Sequence, residues 1–170
     1  PLPFEIRADN IAVLSLIPNP SKPRGGVVVL DRWLINSLDC SLIALAQKNL
    51  SGLILQSASD RVFVAGADLA EIDALSDADL DVYLRAGSVA YGRITKLPFT
   101  SVAIIHKAAL GGGLELAMHC DALVGATPAP GEKSWKVGLP ECGLEICPGW
   151  GGTMMLAARM NISKAIVATC

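Results

Sequence analysis

Hydrophobic positions along this chain switch between a two-residue and a helical period. Phe4-Glu5-Ile6-Arg7 and Ile11-Ala12-Val13-Leu14-Ser15-Leu16 read as two strands turning at Asp9-Asn10. The stretch from Pro18 to Gly26 is a loop on composition alone, being mostly proline, glycine and polar residues. Leu34, Leu38, Leu42 and Leu45 then line one face of a helix that begins near Asp31. Gly52-Leu53-Ile54-Leu55-Gln56 is a short buried strand, and Phe63-Val64-Ala65-Gly66-Ala67-Asp68 leads through small residues into a strand-to-helix turn. Ser76, with Asp79 three residues on, caps a second long helix that ends before Pro98.

The pattern continues with a strand from Ser101 to Ile105, a turn at Gly111-Gly112-Gly113, and a helix opening at Leu114, Leu116 and Ala117. Ala122-Leu123-Val124 is a further short strand, ahead of the turn-rich Thr127-Pro128-Ala129-Pro130-Gly131. Helical segments from Gly152 and from Asn161 close the chain. Strands alternating with helices predict an α/β fold with largely parallel pairing, in one domain over residues 1–170. The sequence carries no visible internal repeat.

Composition sharpens this picture. Apolar residues make up 52% and charged residues 18%, so the chain expects more buried surface than one small core needs, at a subunit interface or a lipid-like ligand site. The longest uncharged run, Ile146 to Ala158, is broken by Pro148 and glycines and does not read as a membrane span. A net charge of −2 with scattered Lys and Arg gives no nucleic-acid signature. Cys40, Cys120, Cys142, Cys147 and Cys170 form no CxxC pair, and only His106 and His119 offer imidazole. That argues against a disulfide framework and a zinc site and predicts reduced, mostly buried thiols. Without a signal-peptide pattern, the expected location is the cytoplasm or a reducing organelle matrix; the lack of an initial Met reads as a processed or trimmed start.

Candidate chemistry centres on the glycine triplet. Three glycines at a helix start expose N–H donors and allow another group to approach the backbone, and Glu115 sits in the first turn beside them. Donors for an oxyanion next to a proton carrier make an active-site fragment. By itself the triplet better describes a tight turn with a carboxylate favoured by the helix dipole. Two further segments join it: Ala65-Gly66-Ala67-Asp68, and Leu139-Pro140-Glu141 followed by Pro148-Gly149-Trp150-Gly151-Gly152-Thr153.

With these three motifs in this order the chain resembles the enoyl-CoA hydratase/isomerase (crotonase) superfamily. The residues that carry the resemblance are Val64 to Asp68, Ala109 to Ala117, Leu139-Pro140-Glu141 and Pro148 to Thr153, with Cys120-Asp121 before a strand. The resemblance implies a repeated ββα spiral core that binds acyl-CoA thioesters, with coenzyme A as part of the substrate and no separate cofactor. It implies that the backbone N–H groups of Ala67 and Gly112 hold the thioester oxygen, where enolate-like charge develops. Ala65, Gly66, Asp68, Gly111, Gly113, Pro140 and Gly149 are the matching substrate-binding positions. Glu115 becomes the base toward water and Glu141 the proton donor to C2 of a 2-enoyl-CoA.

Other residues have plainer readings. Asp68 and Asp121 also read as capping or turn residues, His106 and His119 as structural, and Trp150 as a packing residue or part of the acyl pocket. Lys22 and Arg24 read as solvated loop charges, with contact to CoA phosphates as the alternative. The chain departs from the family pattern at Val28, at Met154-Met155, at Lys107, where a glycine usually supplies the turn, and at Glu145, which replaces a glycine. Family members continue past the position of Cys170 into helices that cover the acyl pocket and build a trimer. The core is therefore expected to lack those trimerisation helices and to expose apolar surface there, either as a fragment of a longer, trimer-based homo-oligomer such as a multifunctional fatty-acid oxidation enzyme or as a trimmed domain.

The expected activity is a lyase adding water across a 2-enoyl-CoA. An isomerase or other thioester chemistry on the same oxyanion hole, and a non-catalytic acyl-CoA-binding or assembly module, are the alternatives. A serine peptidase needs a serine where Glu115 stands. Gly131-Glu132-Lys133-Ser134 ends like a P-loop, but its preceding glycine, Gly125, is one residue too far away.

Overall fold

The computed structural model describes residues 1–22, 25–132 and 134–169. Arg24, Lys133 and Cys170 lie outside the described residues. Two sheets hold the fold together. In the larger, β1 (Phe4–Ile6) pairs antiparallel with β2 (Ile11–Leu16). The rest of that sheet, β3 (Gly52–Ser57), β5 (Thr100–Ile105) and β7 (Ala122–Gly125), continues in parallel in the order β1-β2-β3-β5-β7. The smaller sheet is parallel throughout, β4 (Val62–Val64), β6 (Ala108–Leu110) and β8 (Val137–Gly138), in that order.

Each consecutive pair sends one strand to each sheet, β3 with β4, β5 with β6, β7 with β8, and a helical segment follows each pair. This ββα unit, the spiral that the family resemblance implies, repeats in the backbone although no repeat shows in the sequence. β6 and β8 are only three and two residues long, too short for a hydrophobic period to register. What reads as a single strand running into the glycine turn is therefore two strands in different sheets, with His106-Lys107 as the corner.

The helices form where the apolar period places them. α1 (Arg32–Ala46) starts at Asp31, whose side chain accepts from the Leu34 N–H at 2.8 Å, and Leu34, Leu38, Leu42 and Leu45 are all buried. α2 (Leu69–Asp73) is capped by Asp68, and α3 (Asp77–Ile94) by Ser76. α4 (Gly112–Met118) is buried along its whole length. A 3-10 helix (Pro140–Leu144) and then α5 (Gly152–Arg159) and α6 (Ile162–Thr169) complete the chain. α5 and α6 expose Met154, Ile162, Ile166 and Val167, so apolar surface is present in the C-terminal part. No helix among the described residues is long and apolar enough to cross a membrane.

The thiols correct one expectation: Cys120 is buried, but Cys40, Cys142 and Cys147 are exposed. Cys40 lies on the outer side of α1 between the buried leucines, Cys142 is in the 3-10 helix and Cys147 is in the loop after it.

Candidate functional site

The carboxyl ends of the short parallel strands β4 and β6, and the 3-10 helix just after β8, surround one cavity of about 150 Å³. Side chains and backbone from three separate segments meet there: Ala65, Gly66 and Ala67 after β4; Gly111, Gly112 and Glu115 at the start of α4; Pro140 and Glu141 in the 3-10 helix. Gly149 and Trp150 close one side, and Leu69, Ile72, Leu84, Leu144 and Ile146 make the wall mostly apolar.

The backbone explains how these segments come together. Leu30 forms a parallel bridge with Ala67, in which the Leu30 N–H donates to the Gly66 carbonyl at 2.8 Å and the Leu30 carbonyl accepts from Asp68 at 2.9 Å. A parallel bridge uses the groups flanking its central residue, so the N–H of Ala67 points away from Leu30. Gly111 has φ +52°, a conformation that favours glycine, and a Cβ there would stand 2.8 Å from Glu141 Oε1. That left-handed residue turns the chain out of β6 and begins α4 immediately, which leaves the first N–H groups of the helix without intrahelical carbonyls.

The two glutamates are buried polar groups in an apolar setting. Glu115 is 0% exposed, and its Oε1 accepts from the N–H groups of Trp150 and Gly152, each at 2.8 Å. Glu141 is 7% exposed. On both residues Oε2 is buried and finds no hydrogen-bond partner among the described residues. Burial pushes the Glu115 carboxyl up from its ordinary value, against the pull of the N–H groups of Gly152, Trp150 and Gly149. Burial also raises Glu141, and the nearby charge of Glu115 raises it further. Both shifts run the same way, so each carboxyl keeps its proton to a higher pH than a solvated glutamate does.

Raised carboxyl pKa values have a thermodynamic consequence. The folded state keeps protons that the unfolded chain releases above its ordinary value near 4.5, so the folded state binds more protons between the two values. The stability contributed by this difference is full below about pH 4.5 and is lost as pH rises through the folded values. Melting temperature measured against pH should fall less steeply through that window in Glu141→Gln than in the parent. Parallel curves for the two proteins would refute the assignment of the titration to Glu141.

Two residues expected at the substrate do not reach the cavity. Asp68 is buried and caps α2 by accepting from the Glu71 N–H at 3.4 Å; it also faces Lys22 Nζ at 3.5 Å. Gly113 is packed under the cavity floor, where a Cβ would stand 2.6 Å from Val64. Lys22 is a partly solvated loop charge, as expected, and it is also ion-paired. Its ammonium pairs with Glu71 and faces Asp68 at 3.5 Å and Asp31 at 3.9 Å, and these three carboxylates, clustered closely enough to suit a cation, already hold one.

The remaining candidates fall to structural roles. His106 Nε2 contacts the Ser59 carbonyl at 2.7 Å, and His119 Nδ1 donates to the Glu115 carbonyl at 2.9 Å while burial pushes its pKa down. Asp121 accepts from the N–H and hydroxyl of Ser101. Trp150 serves both readings at once: it is packed against Tyr83 and Tyr91 and it lines the cavity. Sequence reasoning missed Tyr83, which lines the cavity, and Tyr91 behind it. Their spacing with Gly87, at i, i+4 and i+8 on α3, marks them as one buried face.

Lys107 and Glu145, the two departures from the family pattern at glycine positions, behave differently. Lys107 has no positive φ, so its corner needs no glycine, and it pairs with Glu132 at 3.2 Å. Glu145 has φ +59° and ends the 3-10 helix in the left-handed region. Glu145→Gly should therefore stabilise the fold, by about 0.5–1 kcal/mol after the entropy cost of glycine is counted. A rise of roughly 1–4 °C in Tm is the expected readout.

This repeated ββα framework, with small-residue turns after β4 and β6 and two carboxyls over one apolar cavity, defines a crotonase-type protein. Residues 29–170 match the enoyl-CoA hydratase/isomerase family, and the chain belongs to it. It is similar to the crystal structure of an enoyl-CoA hydratase from Bacillus anthracis, with 27% identity and a TM-score of 0.84 over 99% of this chain and 61% of that one. It shares its fold with DspI of Pseudomonas aeruginosa at 24% identity and a TM-score of 0.84, covering 99% of this chain and 60% of that one. An enoyl-CoA hydratase from Thermoplasma volcanium gives 20% identity and a TM-score of 0.83, covering 99% and 62%. The chain thus spans about three fifths of the length of these proteins.

Proposed function

We propose that the cavity binds the thioester end of a 2-enoyl-CoA and that the chain adds water across its double bond. The N–H groups of Ala67 and Gly112 hold the thioester oxygen as negative charge moves onto it. Glu115, ionised, takes a proton from water as the water oxygen bonds to C3. The C2=C3 electron pair moves toward the carbonyl, and Glu141, protonated, delivers its proton to C2. One proton then passes from Glu115 back to Glu141 before the next turnover. Coenzyme A enters and leaves as part of the substrate, and no further cofactor takes part.

One observation carries this reading: two buried carboxyls line the same apolar cavity, and each has one oxygen without a partner among the described residues. A water shared between them would satisfy both oxygens. Moving a double bond needs only one proton carrier, so a matched pair favours hydration over isomerisation. The test follows loss of enoyl-thioester absorbance on adding crotonyl-CoA to the chain. Turnover to the 3-hydroxyacyl product is expected. Binding of the ester without turnover would overturn the lyase reading and leave an acyl-CoA-binding module.

A further inference from the structure

Two buried tyrosines on α3 each bond a carbonyl beside one of the two proposed oxyanion donors. The Tyr83 hydroxyl donates to the Leu30 carbonyl at 2.9 Å, and that same carbonyl accepts from Asp68 in the bridge whose central residue is Ala67. The Tyr91 hydroxyl donates to the carbonyl of Gly112 itself at 3.2 Å. Eight residues separate the two tyrosines along one helix, so a single rigid element touches both halves of the hole.

Trp150 ties this pair to the carboxylates. Its ring packs against Tyr83 at a centroid distance of 5.6 Å and against Tyr91 at 5.2 Å, and its indole N–H donates to the Leu84 carbonyl on α3 at 2.9 Å. The ring seats on Gly87 and Gly112, where an added Cβ would stand 2.4 and 2.5 Å away. The backbone N–H of the same residue holds Glu115 Oε1. Oxyanion donors and general base are therefore referenced to one helix face.

We infer that Tyr83 and Tyr91 are positioning residues that set the separation of the Ala67 and Gly112 N–H groups, and through Trp150 the place of Glu115. The inference rests on the hydratase reading above. Both hydroxyls hold carbonyls rather than facing the reacting atoms, so their effect must run through the donors they align. Donors aimed at a developing charge lose much of their value when displaced by a fraction of an ångström, because ground-state binding tolerates that displacement better than the transition state does.

Tyr83→Phe and Tyr91→Phe keep the rings against Trp150 and remove only the hydroxyl bonds. Each is expected to lower kcat on crotonyl-CoA about tenfold with KM within about twofold. The infrared carbonyl stretch of bound butyryl-CoA, lowered by two hydrogen bonds in the parent, should move back toward its free frequency in both variants. Near-ultraviolet circular dichroism checks that the aromatic cluster stays packed. If the parent turns over and shows the lowered stretch while both variants keep parental kcat and stretch, the tyrosines are packing residues only and the inference fails alone. A parent that neither turns over nor lowers the stretch would remove the hydratase reading and this inference with it. Should one Phe variant lose its near-ultraviolet signal, the other supplies an independent arm. Parental kcat and stretch in that well-packed variant would then overturn the inference.

Discussion

Glu141→Gln should lower kcat on crotonyl-CoA by roughly 100- to 10,000-fold, with Glu115→Gln falling in the same range. Both substitutions keep shape and volume, so the cavity and its apolar walls stay in place. At Glu115 the amide oxygen can take over the position of Oε1, which accepts from Trp150 and Gly152 at 2.8 Å each. What disappears is the ability of the group to accept a proton from water. At Glu141 the loss is the transferable proton itself, since an amide N–H donates a hydrogen bond but does not release its proton near neutral pH. The double variant should be little worse than the poorer single one, because two groups acting on one water fail together. KM should change little in all three. Turnover that survives both substitutions would sink the assignment of these residues.

Much of the cavity's lining was legible in the chain through the order of three motifs, no one of which was decisive alone. Ala65-Gly66-Ala67, the glycine triplet and Pro140-Glu141 are local signals: small residues that permit close approach to the backbone, and a carboxylate just beyond. The long helices were equally plain, since Asp31 and Ser76 both cap as their positions predict. What stayed hidden depends on contacts between distant segments. Strands of two or three residues such as β8 and β6 have no period to read. The placement of Lys22 among Asp31, Asp68 and Glu71 requires the loop after β2 to meet the start of α2, which no spacing announces. Asp68 matched a family motif in sequence, yet its carboxylate is engaged by a helix cap and an ion pair, next in the chain to cavity-lining Ala67. The tyrosine face of α3 had a visible spacing, but its meaning comes only from the carbonyls it reaches, 53 and 21 residues away.

Gly113→Ala is expected to cost about 3 kcal/mol of stability, a fall in Tm of roughly 6–12 °C. Its Cβ would stand 2.6 Å from both Cβ and the carbonyl oxygen of Val64. Neither atom can move by a rotamer change: one is fixed to the backbone and the other belongs to it, in the last residue of β4. Relief requires α4 to lift from β4, and this helix is buried along its whole length, so its neighbours must give way as well. The same displacement carries Gly112 away from Ala67, so activity should fall beyond what the unfolded fraction accounts for. Gly92→Ala is the control, since a Cβ on that residue of α3 meets nothing within 4 Å. There the gain in helix propensity should raise stability, by up to about 1 kcal/mol. A Gly113→Ala protein that melts with the parent would show that α4 and β4 are not packed as closely as this geometry requires, and the proposed spacing of the two oxyanion donors would fall with it.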